Sequence, residues 1–173
     1  MRKNTIPCQS ILSNEEKTQL QDILDQNLDT EDAILCISNT FQIQITSDRD
    51  IVKGFDRDYS NIPGKAELLC RPENEKQCAI LLKYCQGANI PVTIAAGRTN
   101  LNGGATPKGG MVISIEKMIH PEPVVDLQRS CITAPVGIYL EDMRNASLAQ
   151  SQNTLHFPVD PTNPITCACL TLT

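Results

Sequence analysis

The stretch Pro91-Val-Thr-Ile-Ala-Ala-Gly97-Arg98-Thr99-Asn100-Leu101-Asn102-Gly103-Gly104-Ala105-Thr106-Pro107 decides the reading of this chain. Its opening, Ile90 to Ala95, is rich in β-branched residues and reads as a strand. From Ala96 the apolar pattern stops, and Gly97, Gly103 and Gly104 enter. Glycine takes φ > 0 without steric cost and lets a backbone approach a ligand closely. Consecutive N–H groups in such turns form a concave anion site. Thr99, Asn100 and Asn102 add short side-chain donors, and Arg98 adds a charge that either joins the anion or faces solvent. Many neutral donors, close access and little bulk suit a diphosphate. A plain structural turn has the same composition. The stretch is not a Walker A loop, because Lys108 follows Thr106-Pro107 with no Gly-Lys-Ser/Thr. It is not Gly-x-Gly-x-x-Gly either, and no helix obviously starts at its end.

Outward from the loop the order is strand, helix, strand, glycine loop, strand, an α/β order. Leu68, Leu69 and Cys70 form a short apolar run, a buried strand closed by Pro72. Asn74 to Ala88 reads as a helix, capped by Asn74 with Gln77 three on, and its inner stripe is Ile80, Leu81, Tyr84 and Cys85. Met111 to Ile115 is the strand after the loop. Upstream, Ser13 to Leu28 is a helix with Ser13 and Glu16 as a capping box, and Thr30 to Thr40 a second. Asp48 to Pro63 is charged and aperiodic, hence a loop. Downstream, Val124 to Leu127 and Cys131 to Ala134 read as strands, Tyr139 to Leu148 as a helix, and Asn153 to Phe157 as a short strand.

Net charge is −5, which argues against a basic nucleic-acid surface. No apolar run reaches the roughly 20 residues of a membrane span, and Met1 to Pro7 has no apolar stretch behind its basic start. The expected location is cytoplasmic. The 8 cysteines form no Cys-x-x-Cys pair, so they read as small buried hydrophobes rather than a metal or redox framework.

The order of motifs resembles the FAD-linked oxidases of the vanillyl-alcohol oxidase and p-cresol methylhydroxylase (PCMH) type, and within them the D-lactate dehydrogenase and glycolate oxidase branch. The likeness runs from Asp58-Tyr59-Ser60 through Ala66 to Pro72, the helix after Asn74, and the loop Ala95 to Gly110. It continues in Thr133-Ala134-Pro135-Val136-Gly137 and in Phe157-Pro158-Val159-Asp160-Pro161-Thr162. The resemblance implies an α+β fold with α/β-like order: the first subdomain of a PCMH-type FAD-binding domain, a small mixed sheet flanked by helices, truncated. It implies FAD as cofactor, with Ala96, Gly97, Arg98, Thr99, Asn100, Leu101, Gly103 and Gly104 at the pyrophosphate. Asp160, Pro161 and Thr162 would lie at the flavin side. The parent reaction would be oxidation of a 2-hydroxy acid such as D-lactate or glycolate by hydride transfer to flavin.

Two departures matter. Ala95, Ala96, Arg98 and Asn100 stand where relatives often carry Arg or Gly. After Thr162 the family's Gly-Gly segment and substrate domain do not follow. The expectation is therefore a fragment, with residues 1–55 a helical extension and 56–173 a partial FAD-binding domain. Its catalytic residues would lie elsewhere, in a missing C-terminal half that a separate partner chain could supply. An inactive remnant or non-catalytic partner subunit is the alternative. His120 and His156 match no flavin-attachment motif, and no metal-ligand cluster is present. Asp48, Asp50, Asp56 and Asp58 read as a solvated acidic face.

Overall fold

Three parallel strands organise the chain in a computed structural model, which describes residues 11–157. Strand β1 (Gln44–Thr46) pairs antiparallel with β2 (Leu68–Arg71). β2 is followed in space by β4 (Met111–Ser114) and then β3 (Val92–Ala95), both parallel to it. The sheet order is β1-β2-β4-β3. Every residue of the central β4 is buried, which explains the apolar run Met111 to Ile113 that precedes Ser114. The small mixed sheet flanked by helices is the expected architecture.

Parallel neighbours need a crossover of about a dozen residues or more, usually helical. Between β2 and β3 that crossover is helix α4 (Glu75–Gly87). Between β3 and β4 it is the glycine-rich stretch 96–110, which contains no helix.

Side chains alternate across strands, so the sheet has two cores. Leu68 and Cys70 of β2, with Met111 and Ile113 of β4, face α1 (Asn14–Asp25), α2 (Thr30–Phe41) and α4. Leu20, Ile37 and Leu81 complete that cluster at 1%, 0% and 0% exposure. Burying such a side chain is worth about 1.5–3 kcal/mol. Leu69 and Val112 face the other way, into a cluster with Val52, Phe55, Ala66, Ala95 and Ala105.

The helix starts follow their caps. Ser13 Oγ accepts from Glu16 N at 3.2 Å and Glu16 Oε2 from Ser13 N at 2.8 Å. Asn74 Oδ1 accepts from Gln77 N at 3.0 Å. Beyond the sheet, β5 (Val124–Asp126) and β6 (Cys131–Thr133) make an antiparallel hairpin. Helix α5 (Leu140–Gln150) docks on it, with Gln150 Oε1 accepting from Val125 N at 2.9 Å.

Three expectations need correction. Asp48 to Pro63 is not a plain loop. Asp48 Oδ1 accepts from Asp50 N at 2.9 Å, starting α3 (Arg49–Val52), which runs into a 3-10 turn at Lys53–Phe55. Val52 and Phe55 drop into the second cluster, in an element too short to show periodicity. Strand β1 was also missed, because its pairing with β2 is a tertiary contact. Asn153 to Phe157 is no strand: Gln152 (φ 53) and Asn153 (φ 64) are left-handed, and Ser151 Oγ accepts from Leu155 N at 3.0 Å.

Candidate functional site

Asp58 is the polar centre beneath the glycine-rich crossover. It is 6% exposed, in a region read as a solvated acidic face. Its Oδ1 accepts from Ser60 N at 2.9 Å and from the Ser60 hydroxyl. Its Oδ2 accepts from Asn100 Nδ2 and from Ala105 N at 3.2 Å. The Ser60 hydroxyl lowers its pKa most. Burial opposes, and the N–H groups of Ser60 and Ala105 with Asn100 take the carboxyl down to about 2. Asp56 is not free either: it pairs with Arg49 and accepts from Ala66 N at 2.8 Å. Burial raises its pKa, and the Arg49 and Ala66 hydrogen bonds outweigh that to lower it. Asp48 and Asp50 are exposed, as read.

Arg98 is the second anchor. Its guanidinium lies 4.2 Å from the Phe55 ring centroid, and Nη1 donates to Gly54 O. Its own carbonyl accepts from Tyr59 N at 3.0 Å. These contacts hold it at φ 53, a conformation that costs a non-glycine about 1–2 kcal/mol. The far leg of the crossover runs beside residues 65–67. Lys65 N donates to Pro107 O at 3.0 Å, and Gly109 N to Lys65 O at 2.8 Å. Gly110 (φ +67) closes it, where a Cβ would meet Pro91 O at 2.2 Å.

Between the anchors the backbone is open. Among the described residues, no main-chain N–H from Gly97 to Gly103 has an acceptor. The next three are engaged: Gly104 N with Asn102 Oδ1 (3.1 Å), Ala105 N with Asp58, and Thr106 N with Gly103 O (3.1 Å). The buried hydroxyls of Thr106 and Ser114 also lack partners, and Ser114 stands opposite Ala95 at the loop's root. Buried polar atoms are rarely left alone. A run of free amides beside them fits a diphosphate.

The geometry revises how the loop works. Of Gly97, Gly103 and Gly104, only Gly103 (φ +77) is left-handed, and between residues 97 and 104 Arg98 is the other left-handed position. The Phe55 and Gly54 contacts hold a non-glycine residue in this conformation. Arg98 therefore points its charge neither at an anion nor freely at solvent. Asn100 gives its amide to Asp58 and to Asn102 Oδ1 (3.0 Å), so it offers no free side-chain donor. Ala96, Gly97 and Thr99 are half-buried, while Leu101 is 76% exposed. Asp160, Pro161 and Thr162 lie outside the described residues.

Phe55 and Asp58 were not singled out as site residues from sequence. The spacing Asp58-x-Ser60, an Asx-turn pattern, was the signal available for one of them. A cleft of about 760 Å³ lies away from the loop, between the start of α4 and the β5–β6 hairpin, beside Met118, His120 and Pro135. His120 and His156 are exposed, and no group of three or more metal-ligating side chains occurs among the described residues. There, Cys36, Cys70, Cys78, Cys85 and Cys131 are free. Burial pushes the Cys85 thiol up to about 11, and Cys70 is raised further, so both pack as hydrophobes. No helix of the described residues is long and apolar enough to cross a membrane.

The FAD binding domain family matches residues 66–169. The chain is 34% identical over 115 residues to a D-lactate dehydrogenase of Anaerostipes hadrus, covering 65% of this chain and 23% of that protein. It is 32% identical over 95 residues to a D-lactate dehydrogenase of Archaeoglobus fulgidus, covering 54% of this chain and 20% of the relative. It therefore spans about a fifth of the length of the curated relatives it matches. The crystal structure of 6-hydroxy-D-nicotine oxidase from Arthrobacter nicotinovorans has a similar fold, with a TM-score of 0.58 at 18% identity over 73% of this chain and 27% of that one.

Proposed function

The chain belongs to the FAD-binding domain family, and from that premise we propose that the main-chain N–H groups of Gly97 to Gly103 hold the pyrophosphate of FAD. The observation that carries this is the run of amides without acceptors, inside the matched segment and anchored at both ends. Preorganised amides bind an anion without first breaking bonds inside the protein. Ala96 and Gly104 border this run, and Leu101 lies within it. Asp160, Pro161 and Thr162 are assigned to the flavin side on the family resemblance.

Bound FAD supplies the hydride acceptor, while the protein supplies binding and orientation. We read the parent activity as oxidation of a 2-hydroxy acid such as D-lactate, supported by the two dehydrogenase relatives. Groups that act on substrate are assigned to the parts of those relatives this chain does not match, in the same polypeptide or in a separate partner chain. Residues 1–55 are read as an extension of the FAD-binding part. A cytoplasmic location belongs to the same reading.

The test is a titration of the purified chain with FAD, followed by quenching of flavin fluorescence. Saturable quenching that inorganic pyrophosphate reverses is expected. No quenching, or a preference for ATP or NAD over FAD, overturns the assignment.

A further inference from the structure

We infer that Asp58 is a positioning residue for anion binding by the 97–103 loop: its carboxylate holds the loop in the shape that leaves those amides free. The inference rests on the reading of the loop as the pyrophosphate site and deepens it. Three observations carry it. Asp58 is nearly buried, and its Oδ2 accepts from the main-chain N–H of Ala105, a member of the second apolar cluster. Its two oxygens take separate tasks. Oδ1 is tied to Ser60, on its own segment, while Oδ2 reaches across to Asn100 and Ala105. Those two loop residues bracket the stretch Leu101 to Gly104.

The third observation is what the carboxylate engages. By accepting from Asn100 Nδ2 it keeps that amide off the loop backbone. With Asn102 Oδ1 taking both Gly104 N and Asn100 Nδ2, that side-chain acceptor is occupied and the amides before Gly104 stay unpaired. Asp58 accepts from Ser60 and from the loop, and its carboxylate has no donor to lend a ligand. It therefore acts through the loop rather than by contact. A neutral or absent side chain at 58 leaves Asn100 Nδ2 and Ala105 N without a charged acceptor. Both would then seek acceptors among neighbouring carbonyls, and the loop would lose its single conformation.

The experiment uses the full chain, ¹⁵N-labelled, titrated separately with inorganic pyrophosphate and with FAD while amide resonances are followed. In the wild type the resonances of Gly97 to Gly103 shift with both. In Asp58→Ala the affinity for pyrophosphate falls at least about tenfold, while amides of the helical face, such as Leu20 and Ile37, keep their wild-type positions. Asp58→Asn, which preserves volume, serves if the alanine variant does not fold, and is expected to fall by a similar factor because Asn cannot accept at both oxygens. A folded Asp58 variant that binds pyrophosphate with wild-type affinity overturns the inference. A wild type whose loop amides respond to FAD but not to pyrophosphate also overturns it, leaving the cofactor assignment standing. A wild type whose loop amides respond to neither overturns both.

Discussion

One face of the β2-β4-β3 sheet is closed by three helices, and the other by a short helical turn and a helix-free crossover. The helical face is held by many interchangeable apolar contacts, with Leu20, Ile37, Ile80 and Leu81 all at 2% exposure or less. The loop face has small residues in its core, Ala66, Ala95 and Ala105, and is held in shape by a few polar contacts that each occur once. Distributed packing supplies stability. Singular contacts supply a defined backbone shape at lower local stability, which is what a ligand-binding loop requires.

The sharpest way to break this contrast is a core truncation. Leu81→Ala should cost about 2–5 kcal/mol in urea unfolding, since Leu81 is fully buried under the sheet. A smaller cost than any loop-face variant would reverse the ranking of the two faces. Gly110→Ala tests whether the crossover has one permitted closure. Its left-handed φ and the clash with Pro91 O should cost more than about 2 kcal/mol, read by thermal melting.

Acid should act on the loop face through Asp58. Its folded pKa, about 2, lies below the unfolded value of about 3.9, so its contribution is complete above about pH 4 and is lost as pH falls toward 2. The melting-temperature gap between wild type and Asp58→Asn should therefore be constant near neutrality and close over that window. A gap that stays open at pH 2 would mean that the carboxylate's charge is not what matters.

Ser13→Ala removes one cap from the helical face and should cost about 1 kcal/mol, measured by the shift in denaturation midpoint. The smallest effect should come from Arg98→Gly. It relieves about 1–2 kcal/mol of left-handed backbone cost but loses the contacts to Phe55 and Gly54, so stability should change by no more than about 1 kcal/mol. A large loss would show that the Phe55 stack outweighs the backbone term.

The helical face was legible because its signals are local. The Ser13–Glu16 box and the Asn74 cap each lie within one turn of chain, and the stripe Ile80, Leu81, Tyr84, Cys85 repeats within one helix. The glycine loop was legible as a loop, and its amides as candidates, because a strand ends at Ala95 and the apolar pattern ends with it. Its internal roles were not. Sequence put left-handed freedom at Gly97, Gly103 and Gly104, and at Arg98 a charge that joins an anion or faces solvent. Between residues 97 and 104 the left-handed positions are Arg98 and Gly103, and the charge is fixed on Phe55.

By itself the sequence determined the strand, helix, strand, loop, strand order, the stretch that carries the candidate amides and the family likeness. All three depend on neighbours within a few residues or on motif order. Only the tertiary structure decided that Asp58 is buried rather than solvated, that Asn100 serves it, and that Phe55 seats Arg98. Asp58 meets Asn100 and Ala105 across more than 40 positions of chain, as Arg98 meets Gly54. Such meetings arise because the parallel pairing of β3 with β4 makes the loop cross the sheet face on which residues 49–60 already lie. No local pattern encodes a contact of that span.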